Sequence, residues 1–138
     1  NIDGLHQAAG SKNVLELHGS VHRNYCRKCG KEFDAEYILN SKGVPVCDSC
    51  GGQIKPDVVL YEEGLNQQTL EDAVYYISHA DMLIIGGTSL AVYPAAGLID
   101  YYHGNKLVLI NKSTTSMDSR ADLLIQAGLG EVFGQIEV

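Results

Sequence analysis

Two pairs of cysteines constrain the fold of this chain more than any other feature of its sequence. Cys26 and Cys29 form one C-x-x-C pair, Cys47 and Cys50 form another, and the 17 residues 30–46 separate them. This spacing is typical of a zinc site in which two facing turns present four thiolates. Because protein fills all four positions, we predict one structural Zn²⁺ with no open position for a water ligand. Disulfides or a redox pair are the alternatives for the same pattern.

Residues 25–56, which contain all four cysteines, are predicted to form a small zinc-ribbon module. The segment is polar and has few large apolar side chains, so it needs a cross-link, such as a bound metal or disulfides, to be stable without a large core. Residues 34–39 within it favour a short helix. The flanking residues 1–24 and 57–138 are predicted to belong to one larger domain, into which this module is inserted.

Composition limits the functions that this chain can have. Apolar residues make up 45% of it, enough for a packed core, and its net charge of −7 argues against binding nucleic acid through many phosphates. No apolar run is long enough to cross a membrane. No export signal is visible and the composition is that of a soluble acidic protein, so we expect a reducing cytoplasm. The sequence does not start with methionine, and we expect it to begin inside a longer protein.

Residues 57–138 alternate short apolar runs with segments of helical periodicity. We predict strands at 58–60, 82–85, 107–110 and 123–125, and helices at 67–79, at 94–102 and from about residue 129. This order predicts an α/β fold, namely part of a Rossmann-like parallel sheet flanked by helices. Ligands bind such sheets at the carboxyl ends of the strands, where the polar segments 86–89 and 111–113 follow two of the predicted strands.

The first segment, residues 1–24, contains a histidine at the end of a predicted strand. Residues 14–18 alternate apolar and polar side chains, which predicts a short half-buried strand that ends at His18 and is broken by Gly19 and Ser20. A histidine at a strand end beside flexible backbone can reach into a cleft, although a lone histidine is a weak signal. Asn1 and Asp3 can present an amide and a carboxylate to the same small polar group. The remaining histidines, among them His22, His79 and His103, are interpreted as structural.

Six stretches, taken together, resemble the sirtuin family and span nearly all of the chain. They are NIDGLH at 1–6, LELHGS at 15–20, the two C-x-x-C pairs, PDVVLYEE at 56–63, GTSLAVYP at 87–94 and INK at 110–112. The resemblance implies an NAD-dependent enzyme that removes acyl groups, with acetyl the expected one, from protein lysines. It implies two cofactors, NAD as cosubstrate and one structural Zn²⁺, and acyl-lysine proteins or peptides as partners.

The resemblance also implies roles for individual residues. His18 corresponds to the general base, which suits an imidazole because histidine exchanges protons near neutral pH. The residues expected to contact NAD are Asn1, Ile2 and Asp3 around the nicotinamide, and Gly87, Thr88, Ser89, Asn111, Lys112, Ser113 and Ala127 around the rest. The residues expected to pair with the substrate peptide as an added strand are Val59, Tyr61, Glu62, Glu63, Gly64 and Leu65.

Two departures from the family pattern bear on function. The family's Gly-rich phosphate loop and the glutamine that precedes the first stretch lie outside this sequence, so we expect the chain by itself to bind NAD poorly. Glu62 stands where many relatives carry glycine, and its carboxylate either favours basic residues in the substrate or faces solvent. The alternative functions are a sirtuin that mainly transfers ADP-ribose and a zinc-ribbon module that binds nucleic acid or protein.

Overall fold

The chain folds as two units, Asn1–Leu70 and Glu71–Val138, in the computed structural model, which describes residues 1–137. The division predicted from the sequence, with its boundaries after residues 24 and 56, is finer than these units and stays a prediction. Among the described residues, no helix combines the length and the apolar character needed to cross a membrane.

An antiparallel sheet of three strands organises the first unit. Its elements are α1 (Leu5–Ala8), β1 (Gly19–Cys26), β2 (Glu32–Phe33), α2 (Ala35–Leu39) and β3 (Ile54–Val58). The central strand β1 pairs with β2 on one side and with β3 on the other. The predicted short helix is confirmed as α2, and the carboxylate of Asp34 caps it by accepting the N–H of Tyr37.

Two strand predictions in this unit are wrong. Residues 14–16 have no regular structure and His18 lies in a turn, so the strand begins at Gly19, where it was predicted to end. Among the described residues, 14–17 have no ladder partner, whereas Gly19 pairs with Val58 and the His18 carbonyl bonds only to the Val59 N–H beyond it. The strand predicted at 58–60 runs instead over Ile54–Val58. It includes Pro56, which an edge strand tolerates because no ladder donor is needed on its outer side.

A parallel sheet forms the second unit and confirms the predicted fold class. Helix α3 (Gln67–Ser78) runs across the boundary between the units, and β4 (Leu83–Gly86), β5 (Leu107–Ile110), β6 (Leu123–Ile125) and α4 (Leu129–Phe133) follow. The strands pair in parallel in the order β4-β5-β6. The helix predicted at 94–102 is a 3₁₀ helix, Ala95–Tyr101.

The core of the second unit lies beneath the central strand. Ile99, Tyr102 and Leu107 are buried together, and the Tyr102 hydroxyl donates to the carbonyl of Asp81 and accepts the N–H of Lys106. Strand β4 was predicted to be buried on both faces, but Ile84 is 46% exposed, so its burial alternates. Within the described residues β4 is an edge strand with a single ladder neighbour, and this accounts for the difference.

Candidate active site and metal centre

The four cysteines converge on one point of the first unit. Their Sγ atoms all lie within 4.8 Å of one another, with 3.4 Å between Cys26 and Cys50 and 3.7 Å between Cys29 and Cys47. A tetrahedron with Zn–S bonds of about 2.3 Å has sulfurs about 3.8 Å apart, close to these separations. A disulfide needs only about 2.05 Å between sulfurs, and all four thiols are free. The predicted cluster is therefore formed, and it is positioned to hold a metal such as zinc.

Each cysteine pair is set by the same local turn. The carbonyl of Cys26 accepts the N–H of Gly30 at 2.9 Å, and the carbonyl of Cys47 accepts the N–H of Gly51 at 2.8 Å. Lys31 ties the two turns together, since its Nζ lies 2.6 Å from Oδ1 of Asp48 on the opposite turn. The two knuckles predicted from the spacing thus face each other.

The thiols of the cluster ionise unequally. Burial opposes ionisation of Cys26, but the N–H groups of Cys29 and Lys28 and the neighbouring thiols lower its pKa to about 6. The Gly52 N–H favours the thiolate of Cys50, yet the neighbouring sulfurs, that of Cys26 first, raise its pKa to about 12. A divalent cation supplies the charge that lets all four sulfurs act as thiolates. The donor set therefore fits zinc.

His18 is half-buried in the turn that leads into β1. Its carbonyl accepts the N–H of Val59 at 3.0 Å, which continues the pairing of β1 with β3 by one residue. Arg23 braces this turn, because its guanidinium donates to Glu16 at 2.7 Å and to Asp57 of β3 at 2.9 Å. The backbone on both sides of His18 is thus fixed, whereas its imidazole makes no hydrogen bond within the described residues.

Gly19 is the residue that makes this turn possible. Its φ is +77°, and a Cβ there would lie 1.8 Å from the carbonyl oxygen of Asp57. We expect Gly19→Ala to lower the free energy of unfolding by about 2–4 kcal/mol, since left-handed strain and a backbone clash add together. Urea denaturation measures the change.

Gly43 supplies the matched control for Gly19. Its φ is +79°, but among the described residues no atom beyond its chain neighbours lies within 4 Å of the position that a Cβ would take. Gly43→Ala therefore carries the left-handed strain alone, about 1–2 kcal/mol. Equal losses in the two variants would contradict the close approach of Gly19 to β3.

The segment that contains Asn1 and Asp3 lies along the same strand. The carbonyl of Ile2 accepts the N–H of Val21 at 3.0 Å. The carboxylate of Asp3 accepts the N–H of Leu5 at 3.0 Å and the side-chain amide of Asn1 at 3.3 Å. The Leu5 N–H is the first cause that lowers the pKa of Asp3, with the Asn1 amide adding to it. Two predicted contacts of the nicotinamide therefore touch each other, beside the strand that follows His18.

The segment predicted to bind peptide begins directly beside His18. After Val59, residues 60–63 form a turn in which the carbonyl of Leu60 accepts the N–H of Glu63 at 3.1 Å. The Glu63 carboxylate accepts the Leu60 N–H at 2.9 Å and pairs with Lys55 at 3.2 Å. Tyr61 is 96% exposed at the tip of this turn, while Gly64 and Leu65 continue the chain toward α3.

Glu62 occupies a backbone position that favours glycine. Its φ is +70° at the third position of the turn, where a type II turn requires a positive φ. We expect Glu62→Gly to raise the free energy of unfolding by about 0.5–1 kcal/mol, because relief of strain exceeds the entropy cost of glycine. Glu62→Ala removes the carboxylate and keeps the strain, so it should give no such gain. Similar thermal midpoints for these two variants would rule out backbone strain as the cause.

The residues predicted to contact the rest of NAD collect at the carboxyl edge of the parallel sheet. The N–H of Gly87 donates to the carbonyl of Ile110 at 3.0 Å, and the N–H of Asn111 donates to that of Ile125 at 3.1 Å. The ends of the three strands therefore lie side by side, as the Rossmann-like pattern predicts.

Short contacts shape the loops at this edge. The side chain of Asn111 donates to the carbonyl of Ser113 at 2.8 Å. Lys112 lies over Gly128, the neighbour of Ala127, since a Cβ on Gly128 would come within 3.1 Å of Lys112 Cε. Thr88 and Ser89 lie in the loop that follows Gly87. All seven predicted residues of the second unit thus belong to one edge of one sheet.

Sequence reasoning missed a strained residue in this loop. Leu90 has a φ of +51°, and its N–H donates to the Thr88 hydroxyl at 3.1 Å. A leucine in the left-handed region is uncommon and marks backbone that its surroundings hold in place, which is frequent at binding sites. No local signal in the sequence predicts a positive φ at a leucine.

Known proteins are similar to this chain in sequence over nearly its whole length. The family model described as Sir2 family matches residues 1–94. An NAD-dependent protein deacetylase of Clostridium acetobutylicum is 65% identical over 133 residues, which are 96% of this chain and 54% of the relative. The enzyme of the same name from Clostridium tetani is 63% identical over 137 residues, which are 99% of this chain and 56% of the relative. The chain thus spans about half the length of these curated relatives.

Solved structures agree with the sequence comparison. A structure of Sir2 with a p53 peptide and NAD⁺ has a TM-score of 0.87 and 44% identity, and the match covers 96% of this chain and 57% of that chain. A structure of Sir2 bound to an acetylated peptide has a TM-score of 0.87 and 43% identity, with coverages of 96% and 58%. Since the family model alone covers well over half of the residues, this chain belongs to the Sir2 family.

Proposed function

We propose that this chain carries the catalytic histidine and part of the NAD site of an NAD-dependent protein-lysine deacetylase. Acetyl is the proposed acyl group, and acetyl-lysine proteins or peptides and NAD are the proposed partners. Relatives up to 65% identical bear the name of that activity, and a structural neighbour holds an acetylated peptide. The reaction consumes one water and transfers the acetyl group to ADP-ribose, with nicotinamide and unmodified lysine as the other products.

The observation that carries the proposal is the arrangement around His18 in the first unit. The His18 carbonyl is bonded to the N–H of Val59, where the proposed peptide segment begins. The strand that follows His18 is bonded through Val21 to Ile2, in the proposed nicotinamide segment. Hydrogen bonds to residues 18–21 therefore join the proposed base, the proposed peptide segment and the segment that carries the amide-and-carboxylate pair. This is the set of groups that acyl transfer from lysine to a ribose hydroxyl requires.

The residues of this chain have distinct tasks in the proposed mechanism. NAD, when bound, supplies the anomeric carbon that takes the acyl oxygen and the ribose hydroxyl that takes the acyl carbon. Asn1 and Asp3 bind and orient the carboxamide of the nicotinamide. The His18 imidazole accepts the proton of the ribose hydroxyl as its oxygen attacks the acyl carbon. Val59 and residues 61–65 align the peptide as an added strand.

Zinc has a structural task in this proposal. Cys26, Cys29, Cys47 and Cys50 are the proposed ligands, and they leave no position for a water ligand. Phe33 and Ile54 lie beside the cluster and form a small apolar core with it, which the bound metal would hold together. We propose the cytoplasm as the compartment, because reduced cysteines with the spacing of a metal site persist there.

Nicotinamide release by the full natural protein tests the proposal. With NAD and an acetyl-lysine peptide, we expect one nicotinamide and one O-acetyl-ADP-ribose for each lysine unmasked, measured by chromatography and mass spectrometry. The same peptide with unmodified lysine is the control and should give no release above background. Release that is independent of the acetyl group, or ADP-ribose attached to the peptide, would count against deacetylation.

A further inference from the structure

We propose that His22 is a positioning residue of the nicotinamide pocket, which fixes the backbone of Asp3 and Gly4 and so aims the side chains of Asn1 and Asp3. This inference rests on the proposed function and assigns a task to a histidine outside the catalytic set. It depends on an irregularity in β1, on a hydrogen bond from the imidazole ring and on a close packing contact.

The irregularity frees part of β1 from its neighbour. Ser20 pairs with Asp57 and Asn24 pairs with Pro56, so residues 21–23 have no ladder partner on β3. Local bonds hold this bulge in shape, because the Ser20 hydroxyl accepts the N–H of His22 and the Asn24 amide donates to the carbonyl of Val21. Ser20 and Asn24 are buried. Bulges of this kind redirect side chains, often beside functional sites.

The freed residues bind the nicotinamide segment at successive points. The N–H of Val21 donates to the carbonyl of Ile2, and His22 Nε2 lies 2.9 Å from the carbonyl oxygen of Asp3. Because a carbonyl oxygen only accepts, Nε2 is the protonated nitrogen of that ring. These two bonds hold the backbone on both sides of the Asp3 α-carbon. The direction in which the Asp3 carboxylate leaves the backbone is fixed with it.

A close packing contact makes the His22 imidazole part of the wall of the proposed nicotinamide pocket. Gly4 has a φ of +71°, and a Cβ there would lie 2.8 Å from Cδ2 and 2.9 Å from Nε2 of His22. The Gly4 backbone therefore lies close against the imidazole, with no room between them for a side chain. After Gly4, the N–H of Leu5 reaches back to the Asp3 carboxylate. A displacement of the ring would move Gly4, and the carboxylate would lose its alignment with the Asn1 amide.

Two substitutions in the full natural protein separate the hydrogen bond from general stability. Leucine at this position cannot donate to the Asp3 carbonyl, whereas the side-chain amide of glutamine can. We expect His22→Leu to raise the KM for NAD and the inhibition constant of nicotinamide by about three- to tenfold, the effect of one lost hydrogen bond. His22→Gln should remain within about twofold of the unsubstituted protein. The KM for the acetyl peptide and the zinc content should stay unchanged in both.

Specific outcomes would overturn the proposal. They are unchanged nicotinamide inhibition in His22→Leu, an equal defect in His22→Gln, or a peptide KM that rises as much as the KM for NAD. If the unsubstituted protein shows no deacetylation, the proposed function fails, and calorimetric binding of NAD and of nicotinamide to the same variants then decides the role of His22. Equal affinities of His22→Leu and the unsubstituted protein in that measurement would exclude it.

Discussion

Replacement of Cys47 by serine is expected to abolish zinc binding and to unfold the module around it. The Cys47 sulfur lies 3.7 Å from that of Cys29, and the residue is only 3% exposed in the small core that contains Phe33 and Ile54. Structural zinc contributes about 10–16 kcal/mol in small zinc domains, far more than these few side chains provide. We therefore expect zinc content to fall from one ion per chain to near zero, as measured by atomic absorption.

Loss of structure should be confined to the zinc module at first. Helix α2 and strand β2 depend on the small core, so proteolysis within residues 27–53 should accelerate by at least tenfold. Lys42→Ser is the matched control, because Lys42 is exposed in the same module and is not a member of the four-cysteine group. A full complement of zinc in Cys47→Ser, or an equal acceleration in Lys42→Ser, would refute the four-cysteine site. Chelation of the unsubstituted protein should reproduce the effect of Cys47→Ser.

Local patterns account for the features that sequence reasoning predicted correctly. The hydrogen bonds of the two cysteine turns each span only five residues. Cys26 and Cys50 could therefore be assigned to the metal cluster from the sequence spacing, without knowledge of the fold. The strands Leu107–Ile110 and Leu123–Ile125 are continuous apolar runs between turn signals. The parallel pairing follows from their alternation with helices, and it brings Gly87 and Asn111 to one edge.

Non-local contacts explain the predictions that failed. Strand β1 reads as a polar segment, and its buried residues Ser20 and Asn24 make bonds to nearby backbone that no hydrophobic period reveals. The pattern at 14–18 has the period of a strand, but within the described part of the chain residues 14–17 have no ladder partner, so no strand forms there. The positive φ of Glu62 is set by the turn between Leu60 and Glu63, and glutamate gives no local sign of it.

Replacement of His18 by alanine is expected to lower acetyl-peptide turnover by about 10²–10⁴-fold in the full natural protein, the range for loss of a general base. This corresponds to about 3–5.5 kcal/mol of transition-state stabilisation. The fold should persist, because the His18 carbonyl and Gly19 hold the turn in place and the His18 imidazole does not. We expect the free energy of unfolding to change by less than about 1 kcal/mol.

The order of steps sharpens the test of His18. In the proposed mechanism the base acts on the ribose hydroxyl after nicotinamide has left, so exchange of labelled nicotinamide into NAD should fall much less than acetyl transfer does. His103→Ala is the matched control, since His103 is exposed in the second unit and should leave both rates unchanged. Acetyl transfer within threefold of normal would remove His18 from the base role. An equal fall in exchange and transfer would instead assign His18 to NAD binding, because only a defect before nicotinamide departure slows both.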